Sequence, residues 1–558
     1  MCTTGPLGHG ASDFARRARI TVRDRVRLTA LLLASLQFIS SDSAISDYVD
    51  GTWTSPQQDD WPLVPVHATL TPDGRVLTFG SNSGGQATGF FIYDVWDPAA
   101  GLDAGHVTLP NTTGTDIFCG TSLILPTSSE ILIAGGANWT GSEVSKVGNN
   151  ESTIFNSGDD TLTRGEQMNR ARWYASAVPL MDGEVYVQGG LHGEDFPEVR
   201  ERDGTFRLLT GAPTGRYSAY YPRNFIAPDG RLFGFDTDGQ MFFVETDGIG
   251  SIADAGQFDI ALAGHPSTSV MYRPGQILQI SGKNNRAITI DIDGDTPVVR
   301  PAGSLSTRRS WANATVLPNG RVLVTGGSGE PNKLVGVNNS AEMWDPETGK
   351  WSVLASGLRP RLYHSFALLL PDASVLVGGG GASLESPVNN LHSEIYFPPY
   401  LYESSGGLAA RPVIESAPDV LEPGQPFQIK TGADGIDRVT LLGAGAVTHG
   451  VNLQQRFIEL EFSATGDSIS AQMPGRAGET PPGYYLLFVL DRAGTPSRAK
   501  IVQVSVAGAS PPPSPPPAPS PEGGGGATGL EWLVMLGLIN AIVQEKRNAA
   551  RCSLVTTA

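Results

Sequence analysis

A chain of 558 residues with three cysteines and eight histidines offers few side chains for metal or redox chemistry, so their positions matter. Cys2 and Cys552 stand near the ends. Cys119, in DIFCG, stands in the body with no evident disulfide partner, and an unpaired cysteine in an exported chain needs another explanation. Two histidines have distinctive neighbours: His364 follows Tyr363 in RPRLYHS, and His449 lies in VTHGVNLQQRF. Tyr174 lies in RARWYAS. Imidazoles are metal ligands, and phenols and thiols can be oxidised by one electron. These five residues are the candidates for a metal or radical site.

The elements that must position them are repeats. A turn, a short apolar strand and a closing glycine recur as DGRVLTFG (Asp73 to Gly80), SEILIAGG (Ser129 to Gly136) and DGEVYVQGG (Asp182 to Gly190). The pattern continues as DGRLFGFD (Asp229 to Asp236), PGQILQISG (Pro274 to Gly282), NGRVLVTGG (Asn319 to Gly327) and DASVLVGGG (Asp372 to Gly380). Seven copies about 45 to 55 residues apart predict an all-β fold: a seven-bladed kelch-type β-propeller over 53–405. Asp-Gly and Asn-Gly suit tight hairpins, and the strands alternate apolar residues. Cys119, Tyr174 and the Tyr363-His364 pair each precede one of these motifs, at equivalent points of different blades, so a propeller brings them to one end of its axis. No spacing argument brings His449 there.

Residues 411–507 carry short β-rich runs whose length and spacing suit an immunoglobulin-like, early-set sandwich. Residues 509–526 are a Pro- and Gly-rich linker, and 527–558 a tail whose apolar run is short for a membrane span. At the other end, residues 1–44 join six arginines to the apolar run LTALLLASLQFI, as in a signal peptide; an uncleaved anchor and an organelle transit peptide are the alternatives. Sequons at Asn111, Asn138, Asn150, Asn313 and Asn338 agree with export as a glycoprotein to the cell exterior. The net charge of −17 argues against nucleic acid as a partner.

Taken together, FC at 118–119, RWY at 172–174, YHS at 363–365 and THGVNLQQR at 448–456 resemble the copper radical oxidases, the family of galactose oxidase and glyoxal oxidase. The resemblance runs from about Trp53 to Ala507 and is stronger to the glyoxal oxidase branch. It implies Cu(II) held by Tyr174, Tyr363, His364 and His449, a donor set that suits this ion. It implies a Cys119–Tyr174 thioether that serves as a radical cofactor, with Tyr363 as the base that takes the substrate proton. It further implies oxidation of small aldehydes, or of primary alcohols, with O2 reduced to H2O2. One departure stands out: an ungapped alignment puts His192 where galactose oxidase has a tryptophan over the thioether. That placement makes His192 a pocket residue and predicts a less protected radical that needs an oxidant or a peroxidase for activation.

A kelch propeller that binds glycans or proteins without catalysis is the competing class, because fold does not fix function. A structural role in a cell wall, suggested by the proline-rich linker, is a third. A pure binder has no reason to hold the full set of Cys119, Tyr174, Tyr363, His364 and His449. No dinucleotide fingerprint stands at a strand-to-helix turn, so neither flavin nor nicotinamide is expected. The four histidines His67, His106, His265 and His392 fit no motif and read as structural or surface residues.

Overall fold

The computed structural model describes residues 48–55, 61–145, 147–383, 386–432 and 434–506. The N-terminal segment 1–44, the linker 509–526 and the tail 527–558 lie outside the described residues. Within these, regular structure is β-strand apart from three short 3-10 turns and helical backbone at 48–50, and no helix is long and apolar enough to cross a membrane.

Each of the seven sequence motifs forms a strand, and each strand is the second of a four-stranded meander. Five meanders are separate antiparallel sheets. One of them runs Trp173–Pro179, Val185–Leu191, Glu198–Arg200, Phe206–Leu208. Another is completed from the far end of the chain, where Thr52–Trp53 pairs with Ser393–Phe397 beside Val375–Gly379 and Ser365–Leu369. The meanders starting at His67–Leu70 and Thr268–Arg273 are joined by ladder pairing to strands of the following domain. The architecture is a β-propeller followed by a β-sandwich.

The second strands were expected to alternate buried and exposed positions. Instead Val76–Phe79 and Val322–Thr325 are buried throughout, because sheets stacked around an axis cover both faces of each strand. The turns behave as read: Gly183 takes φ +87°, and Ala373, in the one Asp-Ala copy, is forced to φ +67°.

A repeated ion pair fixes the loops at the inner end of three sheets. Arg172 pairs with Glu198, Arg309 with Glu342 and Arg361 with Glu394, each at 2.9 Å and fully buried. Each arginine also donates from Nη1 to a glycine carbonyl near the end of the second strand: Gly189, Gly326 and Gly379. Two residues after each arginine comes an aromatic side chain, Tyr174, Trp311 or Tyr363. The clamp therefore sets where those rings point.

The sandwich has its own apolar core, including Ile429, Val439, Leu441, Ile458, Leu460, Ile469, Leu487 and Val489. Its strand Val451–Thr465 runs beyond the sandwich. The start of that strand pairs in parallel with Thr268–Arg273, and Ala446–Thr448 pairs with His67–Leu70. The hairpin tip between them, His449-Gly450, is thereby inserted among the inner strands of the propeller.

Candidate active site

Four of the five candidate residues hold a left-handed backbone: Cys119 (φ 56°), Tyr174 (73°), His364 (69°) and His449 (52°). Neighbouring Tyr221 (44°) and Trp311 (66°) do the same. Such a conformation costs a non-glycine residue about 1–2 kcal/mol, and strain of this kind gathers at functional sites. Cross-chain hydrogen bonds hold it. Tyr174 N donates to Cys119 O at 3.0 Å, and Tyr221 N donates to Tyr174 O at 2.8 Å, tying three successive sheets together at their inner ends.

The five side chains converge. Cys119 Sγ lies 3.6 Å from His449 Nε2 and 3.9 Å from His364 Nε2. The two imidazoles stand edge to face, 4.6 Å apart at 86°. The Tyr363 ring stacks on His364 at 3.8 Å, and its hydroxyl is hydrogen-bonded to that of Tyr174. Tyr174 meets His449 edge-on at 5.1 Å, and the Cys119 thiol is within hydrogen-bonding reach of the Tyr174 side chain. Cys119, Tyr174, His364 and His449 are buried.

The outer nitrogens of both histidines are occupied. His364 Nδ1 donates to Gly381 O at 2.6 Å, and His449 Nδ1 pairs with Thr448 Oγ1 at 2.6 Å. That leaves both Nε2 lone pairs facing the centre. Burial keeps the imidazoles neutral: His364 is held down to about 4, and His449 well below the ordinary imidazole value, with the neighbouring His364 adding to the effect. The same desolvation pushes the Tyr174 and Tyr363 phenols and the Cys119 thiol upward. A bound cation reverses this logic for the phenols by stabilising their anions. Two neutral imidazole nitrogens and two phenol oxygens form the N,O donor set that Cu(II) takes, so the residues present fit a copper ion.

His192 is exposed, one residue beyond Val185–Leu191, and among the described residues no ring contact joins it to Tyr174. The register pairs Leu191 with Trp173, so position 192 already lies past the ladder in a turn. The indole packed on Tyr174 is that of Trp173, at 4.3 Å and 56°. Two of the sequons are corrected. Asn111 and Asn313 are buried, and Asn111 Nδ2 donates to the Gly89 and Thr115 carbonyls, so neither side chain is open to glycan attachment.

Several residues around the site escaped the sequence reading. Tyr220, His265 and Trp311 form an arc of rings between Tyr174 and Tyr363: Tyr174–Tyr220 5.7 Å, Tyr220–His265 4.9 Å, His265–Trp311 4.9 Å, Trp311–Tyr363 4.6 Å. RSW at 309–311 repeats the spacing of RWY and of RLY at 361–363, a signal that points to Trp311. His67, left as structural, is buried in a stack with Phe79 and lies edge-on to His449 at 6.0 Å.

Residues 411–504 match the family model "Galactose oxidase-like, Early set domain", and residues 313–357 match the Kelch motif. A galactose oxidase of Gibberella zeae is 29% identical over 86% of this chain and 76% of its own length. The aldehyde oxidase GLOX of Vitis pseudoreticulata is 26% identical over 61% of this chain and 73% of its own. A solved fungal alcohol oxidase of the AA5 family, in complex with copper, superposes with a TM-score of 0.72 at 25% identity, covering 81% of this chain and 99% of that one. Propeller, early-set sandwich and site thus define an all-β oxidase scaffold. Both domains and the converging side chains resemble those of the copper radical oxidases.

Proposed function

We propose that this chain is a secreted copper oxidase on a seven-bladed propeller, the five separate sheets and the two joined meanders making up the ring. Its reaction is R–CH(OH)2 + O2 → R–COOH + H2O2 on small hydrated aldehydes of the glyoxal type. The observation that carries this reading is the convergence of Cys119, Tyr174, Tyr363, His364 and His449 from three sheets and the sandwich hairpin on one buried point. Primary alcohols, R–CH2OH + O2 → R–CHO + H2O2, are the second reading, supported by the likeness to a galactose oxidase and to an alcohol oxidase.

When bound to His364, His449, Tyr174 and Tyr363, copper supplies one of the two electron acceptors that the oxidation needs. Tyr174 would supply the other: a thioether to Cys119, formed with loss of the thiol hydrogen and one ring hydrogen to O2, would make its phenol easier to oxidise. Tyr363 Oη, hydrogen-bonded to Tyr174 Oη, takes the substrate hydroxyl proton. His364 and His449 are held in one tautomer by Gly381 O and Thr448 Oγ1. Trp173, Tyr220, Tyr221 and Trp311 keep water from the phenols. Activation by a peroxidase and cell-wall attachment through the linker remain parts of the same proposal.

The test is peroxide release from copper-loaded protein offered glyoxal, methylglyoxal, simple primary alcohols and galactose. Fastest turnover on the two α-oxo aldehydes supports the aldehyde reading. Preference for alcohols supports the second reading, and no peroxide from any substrate at full copper loading leaves a non-catalytic propeller.

A further inference from the structure

His265 is the one imidazole in the aromatic arc that joins Tyr174 to Tyr363. Its neighbours there are Tyr220 and Trp311, each at 4.9 Å, and the Tyr174 ring edge-on at 5.9 Å. The residue as a whole is partly exposed, yet its Nε2 is shielded and has no hydrogen-bond partner. An orphaned buried nitrogen costs about 1–3 kcal/mol, and such groups are rare unless something outside the protein satisfies them. Its main-chain carbonyl accepts from Arg223 Nη2 at 3.5 Å, so the loop that carries it is tied to the neighbouring sheet.

We propose that His265 is a specificity-determining residue whose Nε2 hydrogen-bonds the second oxygen of the substrate, the hydroxyl that a hydrated aldehyde carries and a plain alcohol lacks. This inference rests on the oxidase reading and refines it. Trp311 of the arc packs on Tyr363 at 4.6 Å, so a substrate whose reacting hydroxyl meets Tyr363 Oη would carry its second oxygen on the side of the arc. A primary alcohol in the same place leaves Nε2 unpaired. Pockets built around such a partner discriminate against ligands that lack the matching group. His265 touches no proposed copper ligand other than Tyr174, by ring contact alone, so its replacement leaves the donor set complete.

The experiment uses the full chain, copper-loaded and reduced, with fluorine NMR of two inert probes. Trifluoroacetone hydrate has two hydroxyls on one carbon and no hydrogen there to abstract; trifluoroisopropanol has one hydroxyl. Wild type is expected to bind the hydrate roughly fivefold more tightly than the alcohol, one neutral hydrogen bond. His265→Phe and His265→Leu should lose that preference, and His265→Gln should keep most of it. In turnover, the apolar variants should lose roughly tenfold in kcat/KM on glyoxal and change little on a plain primary alcohol. Absence of the preference in wild type, or its retention in either folded apolar variant, overturns the proposal. Hydrate preference without any peroxide release supports the role of His265 while removing the oxidase reading. Peroxide release from glyoxal that is indifferent to His265 removes only this inference.

Discussion

Thr448 Oγ1 lies 2.6 Å from His449 Nδ1 and 3.1 Å from the Val66 carbonyl. A hydroxyl has one proton, and the Val66 carbonyl can only accept it. His449 therefore donates from Nδ1 and keeps its Nε2 lone pair toward Cys119 Sγ and the centre of the site. Thr448→Val should preserve the fold and weaken copper binding about tenfold, measured by chelator competition. Thr448→Ser should recover most of the loss. Wild-type affinity in the valine variant would mean that this pairing does not orient the ligand.

The donor set makes a stoichiometric prediction. Wild type should hold one copper per chain, and His364→Ala or His449→Ala should lose most of it by metal analysis. Full retention in both would dismiss these ligands. Cys119→Ala should behave differently, because the sulfur is assigned to Tyr174 rather than to the metal. It should keep copper and near-UV circular dichroism but lose most activity. Peptide mass spectrometry of copper-treated wild type should find the Cys119 and Tyr174 segments linked, lighter by two hydrogens; an alkylatable thiol in active enzyme would contradict the linkage.

Much of this was legible because a propeller repeats itself. The motifs that mark the strands are local, so DGEVYVQGG reads as Val185–Leu191 without knowledge of anything distant. Tyr174 and Tyr363 were found by the same logic, each preceding a motif. His449 could be placed only by family resemblance, since its position depends on Ala446–Thr448 pairing with His67–Leu70, nearly four hundred residues away in sequence. His192 rests on an ungapped alignment, which fixes a position along the chain but not the direction of a side chain past the end of a ladder. His265 was missed because HPST resembles none of the other loops, although its place just before Thr268–Arg273 matches that of Cys119 before Thr121–Ile124.

The buried Arg–Glu clamps predict a coupling between stability and site. Removing one partner of a buried pair leaves a charge uncompensated, at a cost of about 3–5 kcal/mol. Glu394→Ala should therefore destabilise the protein strongly in chemical denaturation, since Arg361 also bridges to Gly379 O and holds the loop of Tyr363. Glu459→Ala is the comparison. Its pair with Arg438 is half exposed, and surface pairs contribute about 0–1 kcal/mol. Equal losses in the two variants would show that burial of the clamp is not what matters.

The delivery of His449 rests on Gly450, which gives the sharpest test of the hairpin. Gly450 sits at φ +71°, its carbonyl accepts from Thr268 Oγ1 at 2.6 Å, and a Cβ there would stand 2.7 Å from the Ala312 carbonyl. Gly450→Ala thus faces both a left-handed backbone, at about 1–2 kcal/mol, and a backbone atom that cannot move aside cheaply. The tip should shift and carry the imidazole with it. Gly466, in the hairpin between Val451–Thr465 and Ser468–Gln472, also has positive φ, +61°, but a Cβ there meets nothing within 4 Å. Gly466→Ala should accordingly cost about the same backbone strain and leave copper binding untouched. Gly450→Ala should lower copper affinity tenfold or more, the loss of about 1.4 kcal/mol of ligand placement, with unchanged near-UV dichroism. If the two alanine variants bound copper equally well, the tip would not be what holds His449 in place.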